Sequence, residues 1–218
     1  MHCCQCCGIE EQFNRAEATR KLREYRRSGP ARTTQLMLDA LMREPVSGRT
    51  LLDIGGGVGS IQHTLIKAGA AAATAVDASA AYLAAAREEA ARQQHAERVT
   101  YHHGNFVDIA ATLAPADIVT LDRVICCYHD MPALVERSSA KAQRLYGLVY
   151  PRDTWWVRAG VRAENALLWL QRSGFRVFAH SSSAVDAIVR RNGLEPCFAR
   201  NAGVWQVVVY QRIAGAGV

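Results

Sequence analysis

The spacing of apolar positions changes character once along the chain. Residues 10–43 carry apolar side chains at helical intervals, with Leu36, Leu38, Leu41 and Met42 making one apolar face. Ser28-Gly29-Pro30 breaks that stretch in two, and Pro45 and Gly48 close it. From Thr50 onward short apolar runs alternate with longer helical stretches. The runs at 51–54, 74–76, 99–102, 118–121 and 145–150 read as buried strands. Residues 60–68, 80–94 and 182–191 read as helices, with Ser79 placed to cap the second. The last two runs, 195–200 and 204–212, meet at Asn201-Ala202-Gly203 and read as a hairpin. Strands that alternate with helices form a parallel sheet through right-handed crossovers, and the hairpin adds an antiparallel strand at its C-terminal end. The predicted fold is α/β: a seven-stranded, mostly parallel sheet with helices on both faces, preceded by an N-terminal helical segment. Residues 1–45 form a Cys-rich tip and that helical segment. Residues 46–213 form the main domain, with an insert at 152–180 that exceeds what a crossover needs and carries Trp155, Trp156, Leu167, Leu168 and Trp169.

Composition changes this picture little. Half of the 218 residues are hydrophobic and 21% are charged, an ordinary globular balance. The formal charge of +6 is spread along the chain, densest from Arg15 to Arg32. No basic helix is interleaved with stacking aromatics, so no nucleic-acid partner is expected. The first residues lack an apolar run behind a basic start, and the Ala-rich stretch 70–86 is interrupted by Asp77. Neither a secretory leader nor a transmembrane segment is expected, and the chain reads as cytoplasmic. Seven cysteines, four of them in Cys3-Cys4-Gln5-Cys6-Cys7, argue against a disulfide framework. Those four leave three readings open: a metal site, thiol redox or metal delivery, and a terminus without chemistry. A structural zinc needs four ligands, and no downstream cysteine pair completes a set, so no metal ligands are named.

Chemistry concentrates at Asp53-Ile54-Gly55-Gly56-Gly57-Val58-Gly59. Gly55, Gly57 and Gly59 allow a tight turn and close approach of backbone to a ligand. The helix that follows aims its free N–H groups at the same place. A dinucleotide loop spaces its glycines G-x-G-x-x-G. This loop has G-x-G-x-G behind an acid, which suits a cationic ligand better than a pyrophosphate. Asp77 ends the second strand, where a carboxylate can accept from both ribose hydroxyls. Together these features describe a nucleoside site without phosphates.

At this point the chain resembles the class I, Rossmann-like, S-adenosylmethionine-dependent methyltransferases over about residues 46–213. The pattern hydrophobic-hydrophobic-acid-hydrophobic-Gly-x-Gly-x-Gly matches Leu51 to Gly59. The resemblance implies S-adenosylmethionine as cofactor, with Asp53, Gly55, Gly57 and Gly59 at its methionyl end and Asp77 at its ribose. Gly104-Asn105-Phe106 stands where the family usually has Gly-Asp-hydrophobic. Asn105 would accept from the adenine amine and Phe106 would pack on its face. Asp117 to Asp122 matches the fourth-strand motif and adds Asp122 to the cofactor set.

The loop after that strand faces the methyl group in such enzymes, and here it holds Cys126, Cys127, Tyr128, His129 and Asp130. His129, with an ordinary pKa of about 6.5, is the candidate general base, with Tyr128 beside it. The alternative has the two thiols buried and Tyr128 to Asp130 forming a surface turn. Tyr150 to Trp156 and Phe178 to Ser181 resemble the magnesium-protoporphyrin O-methyltransferase branch. That likeness implies a flat or apolar small-molecule acceptor, with Trp155 and Trp156 as pocket walls and Arg152 as a carboxylate clamp. The competing reading has both tryptophans anchoring the insert to the core. The N-terminal helices resemble the lid of these enzymes, which implies that Tyr25, Arg26 and Thr34 touch cofactor or acceptor; the competing reading makes Arg20 to Arg27 a solvated basic helix face. The chain thus reads as a small-molecule methyltransferase, with a porphyrin carboxylate methyltransferase and a non-catalytic S-adenosylmethionine- or metal-binding module as alternatives.

Overall fold

The computed structural model of the chain describes residues 4–213. The Cys3–Cys7 thiols, weighed above as metal or redox ligands, lie outside the described side chains. Three helices come first: α1 (Cys4–Gln12), α2 (Arg15–Ser28) and α3 (Arg32–Leu41). They lead into β1 (Thr50–Ile54), α4 (Ser60–Lys67), β2 (Ala72–Asp77), α5 (Ala80–Arg92), β3 (Val99–His103), the one-turn α6 (Phe106–Ile109), β4 (Ala116–Asp122), α7 (Met131–Lys141) and β5 (Ala142–Pro151). The insert helix α8 (Trp155–Leu170), then α9 (Ser182–Arg191), β6 (Leu194–Ala202) and β7 (Trp205–Arg212) complete the described chain.

The seven strands form one sheet in the order β3-β2-β1-β4-β5-β7-β6. The first five run parallel, and β7 enters antiparallel between β5 and β6. The period-two alternation of side chains divides the core. Leu52, Val119, Leu121, Tyr146, Leu148 and Val208 face α7 and α9, where Leu134, Val135, Val185 and Val189 meet them. Leu51, Ile118, Leu145, Val149, Val207 and Val209 face the other way, against Met37, Leu38 and Leu41 of α3 and Ile61 and Leu65 of α4. The α3 helix sits tight on the sheet: a Cβ at Gly147 of β5 would lie 2.8 Å from Met37 Sδ. Of the N-terminal segment, α3 is therefore part of the sheet's helical layer. The α2 helix packs on α5, with Ala18 and Leu22 against Tyr82 and Ala85.

The strand and helix positions follow the pattern of the sequence to within a few residues; α6, α7, the insert helix α8 and a further break at Asn14 are additions. The first helical stretch breaks again at Asn14, whose side chain accepts from the N–H groups of Ala16 and Glu17 and caps α2. The α7 helix occupies what reads as loop. Asp130 caps it by accepting from Ala133 N at 3.1 Å, and Pro132 stands in its first turn, where a missing N–H costs nothing.

Candidate active site

Beta-one is central to the parallel strands, so its C-terminal end opens at the place where the chain reverses its direction across the sheet. The three loop glycines all take left-handed backbone, with φ of 63° at Gly55, 58° at Gly57 and 82° at Gly59. Each also has a distinct neighbour. A Cβ at Gly55 would press on Val124, and one at Gly59 on the side chains of Gln62 and His63. At Gly57 it would meet only the Tyr82 ring, at 3.7 Å. Gly55 and Gly57 border the cavity, whereas Gly59 caps α4 behind it.

Two buried carboxylates hold this loop. Asp77 accepts from Gly57 N at 3.1 Å with one oxygen and from Ser79 N at 2.8 Å with the other. It still borders the cavity, and burial pushes its pKa up to about 6 against those hydrogen bonds. Asp53 is fully buried beneath Gly56. Thr120 Oγ1 donates to its Oδ1 at 2.8 Å, while Oδ2 has no hydrogen-bond partner among the described residues. Burial, with Asp122 and Asp77 nearby, raises its pKa to about 7 despite the Thr120 bond.

The cavity has a volume of ≈ 700 Å³, within the usual ~300–1,000 Å³ of small-molecule sites. Its floor is the strand ends: the glycine loop, Asp77, Asn105, Phe106 and Asp122. Asn105 caps α6, its side-chain oxygen accepting from Val107 N at 3.2 Å. Phe106 is buried in the core with its edge on the cavity. Asp122 accepts from Thr34 Oγ1 and from Arg123 Nε at 3.0 Å, and Arg123 takes a left-handed φ of 61° to make that turn. Its guanidinium lies 6.0 Å from the Trp205 ring centre. Across from the floor stand Phe13 and Tyr25 of the N-terminal helices and Phe175 and Val177 of the insert.

The residues singled out in sequence thus separate into groups. Asp77, Gly55, Gly57, Asn105, Phe106, Asp122, Tyr128, Cys126, Cys127 and Tyr25 converge on one cavity. Asp53 and Gly59 support it from behind. Thr34 is buried and reaches the site through Asp122, and Arg26 instead pairs with Glu88 and Glu89 at 2.8 Å each. His129 is exposed and off the cavity wall, its ring 5.2 Å from that of Tyr128. Trp155, Trp156 and Arg152 are also off the cavity wall. Trp155 is 82% exposed, so it is neither a pocket wall nor an anchor to the core; Arg152 instead lies over Trp156, 5.9 Å from its ring centre. The sequence reading missed Tyr82, Trp205, Phe175 and Val177 as cavity residues. Among the described residues, no group of three or more His, Cys, Asp or Glu is placed to hold a metal ion.

Residues 51–144 match the family model described as "Methyltransferase domain". No curated protein matches the chain in sequence. Solved structures do match in fold. A magnesium protoporphyrin IX methyltransferase from Synechocystis with bound S-adenosylhomocysteine superposes with a TM-score of 0.73 at 17% identity, over 96% of this chain and 100% of that one. An O-methyltransferase family protein from Burkholderia thailandensis gives 0.67 at 18% identity, over 94% of this chain and 63% of that one. An O-methyltransferase family 2 protein from Planctomyces limnophilus, in complex with apigenin, gives 0.59 at 16%, over 85% and 63%. Residues 51–144 are thus similar to a methyltransferase domain, and the sheet order is that of the Rossmann-like fold these solved structures share.

Proposed function

We propose that this protein transfers a methyl group from S-adenosylmethionine to a small-molecule acceptor. The observation that carries the reading is Asp77, fixed by two backbone N–H groups and still open to a cavity floored by positive-φ glycines. The residues present fit the cofactor. Asp77 would accept from the ribose hydroxyls, Phe106 would pack on the adenine, and Asn105 would use the second lone pair of its oxygen toward the adenine amine. Gly55 and Gly57 would let backbone reach the methionyl end. The unpartnered Oδ2 of Asp53, one peptide layer behind Gly56, would bias that end toward a cation. When bound, the cofactor supplies an electrophilic methyl carbon on a sulfonium.

The chain's own part is positioning. Asp122 is held by Thr34 and Arg123 and gives a fixed anionic floor. Tyr128, Cys127, Val124 and Trp205 border the acceptor end, and Ile9, Phe13, Leu134 and Phe175 add apolar wall, which suits a flat or apolar acceptor. Alignment of this kind lowers a barrier by roughly 7–11 kcal/mol. Tyr128 supplies the hydroxyl on that wall; His129 is given no role. This reading takes the protein as a cytoplasmic enzyme without a nucleic-acid partner. A second reading, methylation of a porphyrin carboxylate, is favoured by the end-to-end match to the Synechocystis enzyme.

Calorimetric titration with S-adenosylhomocysteine tests the proposal. Wild-type protein binds, and Asp77→Ala loses about 3 kcal/mol, roughly 150-fold, for two hydrogen bonds to a charged group. No binding by the wild type, or undiminished binding by the variant, overturns it. A radiolabelled methyl-transfer screen over porphyrins, phenols, thiols and carboxylates then separates the acceptor classes.

A further inference from the structure

Five of the seven large hydrophobic side chains exposed among the described residues lie on α8: Trp155 (82%), Trp156 (40%), Leu167 (55%), Trp169 (71%) and Leu170 (72%). The helix has two unlike faces. At about 100° per residue, Val157, Val161, Asn165 and Leu168 share the inward side. Val157 is buried, and Asn165 exchanges two hydrogen bonds with the Val177 backbone, at 2.7 and 2.9 Å. The opposite side presents Trp155, Ala159, Ala163, Ala166 and Leu170, flanked by Trp156 and Leu167, all exposed. Val204, also exposed, continues the patch, since its carbonyl accepts from Arg152 N at 2.9 Å beside the start of α8.

The charges that edge this face along the helix are of one sign. Arg158 and Arg162 edge it along the helix, and Arg172 follows its C-terminal end. Asp153 comes within 3.7 Å of Arg158, while Arg162 and Arg172 have no ionic partner among the described residues. The one acid of the helix, Glu164, is turned to the cavity. A tryptophan-rich apolar face edged by arginine is the composition of helices that lie in a membrane–water interface. There the indoles sit at headgroup depth and the guanidinium groups meet anionic lipid.

We infer that the outward face of α8 docks on an anionic lipid surface. A second copy of the chain fits less well, because a two-fold pairing through this face sets its arginines against themselves. No helix among the described residues is long and apolar enough to cross a membrane, so the contact is peripheral. The same helix lends Glu164 to the cavity wall, which puts the lipid contact and the cavity on opposite sides of one helix.

Vesicle sedimentation of the full chain tests this, with phosphatidylcholine vesicles containing phosphatidylglycerol against pure phosphatidylcholine. The expected result is binding to the anionic vesicles alone, weakened by salt, with a blue shift of tryptophan emission. Trp155→Ser with Trp169→Ser lowers the partition coefficient at least tenfold, and Arg162→Gln lowers it roughly fivefold. These side chains are exposed, so circular dichroism of the variants matches the wild type. Absence of vesicle binding overturns the inference, as does binding that these variants leave unchanged. A concentration-dependent dimer that the tryptophan variants abolish, without vesicle binding, assigns the face to self-association instead.

Discussion

Asp53 couples the loop to pH. It is ionisable, fully buried, and has one oxygen without a partner, and its pKa stands at about 7. A cation bound above Gly56 favours the ionised form and draws that pKa down, so binding releases a proton from whatever fraction is protonated. The affinity for S-adenosylmethionine therefore rises with pH through about 7 and levels above it. Asp77, at about 6, is already ionised across most of that range. In Asp53→Asn the affinity is lower and its rise between pH 6.5 and 8 disappears. Titrations at both pH values check this, and an equal rise in the variant contradicts it. Asp53, the glycines and Asp77 were legible in sequence because their signal is local: an acid, a glycine spacing and a strand end. Trp205, Phe175 and Val177 were not, because they reach the cavity from segments far apart in the chain. The position of His129, off the cavity wall, was not legible for a different reason. Its type suited a base, but type alone does not say that the neighbouring Tyr128 takes the inward position.

The α7 helix and the start of α2 escaped the sequence reading, and their caps were the available signal. Asp130 before Met131-Pro132 marks α7, and Asn14 with Glu17 three residues on marks α2. The apolar tryptophans of the insert were read as inward because large aromatics usually pack in cores. Exposure of α8 is set by what the rest of the fold leaves uncovered, which its own sequence does not encode. Asn14 gives the measurable consequence at this scale. Its oxygen accepts from Ala16 N at 3.0 Å and Glu17 N at 3.2 Å, and the preceding Phe13 carbonyl accepts from Ser79 Oγ at 2.6 Å on the cavity's rim. Asn14→Ala loses the cap and is expected to cost about 1 kcal/mol in urea unfolding. A midpoint equal to the wild type's would mean that α2 is held by its packing on α5 and by Arg26 alone.

The strand–helix alternation was enough to specify a parallel sheet, but strand order came only with the structure, since alternation does not say where the chain reverses. That order gathers the buried ionisable groups around one end of the sheet, and their pKa displacements oppose one another. Asp53 and Asp77 are raised to about 7 and about 6 from near 4, so between pH 4 and 6 the native state holds more protons at them than the unfolded chain. Stability accordingly falls with rising pH on their account. His63 is lowered to about 4 by burial and by His95, and His95 is lowered too. Over the same window the unfolded state holds more protons at these imidazoles, so they make stability rise. Each full proton is worth about 1.4 kcal/mol per pH unit. Two carboxylates against one histidine and part of another leave a net fall of at most about 1.4 kcal/mol per unit. Burial alone would raise Glu89, but hydrogen bonds from Arg92, Gln93 and Arg26 hold it near 2. Its contribution is present above about 4.5 and is lost as the pH drops toward 2. Urea midpoints at pH 4.5, 5.0 and 5.5 should therefore be nearly level or fall gently in the wild type. Asp53→Asn removes one descending contribution and tilts the same profile upward by about 1.4 kcal/mol per unit relative to the wild type. His63→Gln removes an ascending one and steepens the fall. Parallel profiles in all three proteins would mean that these groups titrate alike in the folded and unfolded chain, and that burial beneath the glycine loop does not set their charge.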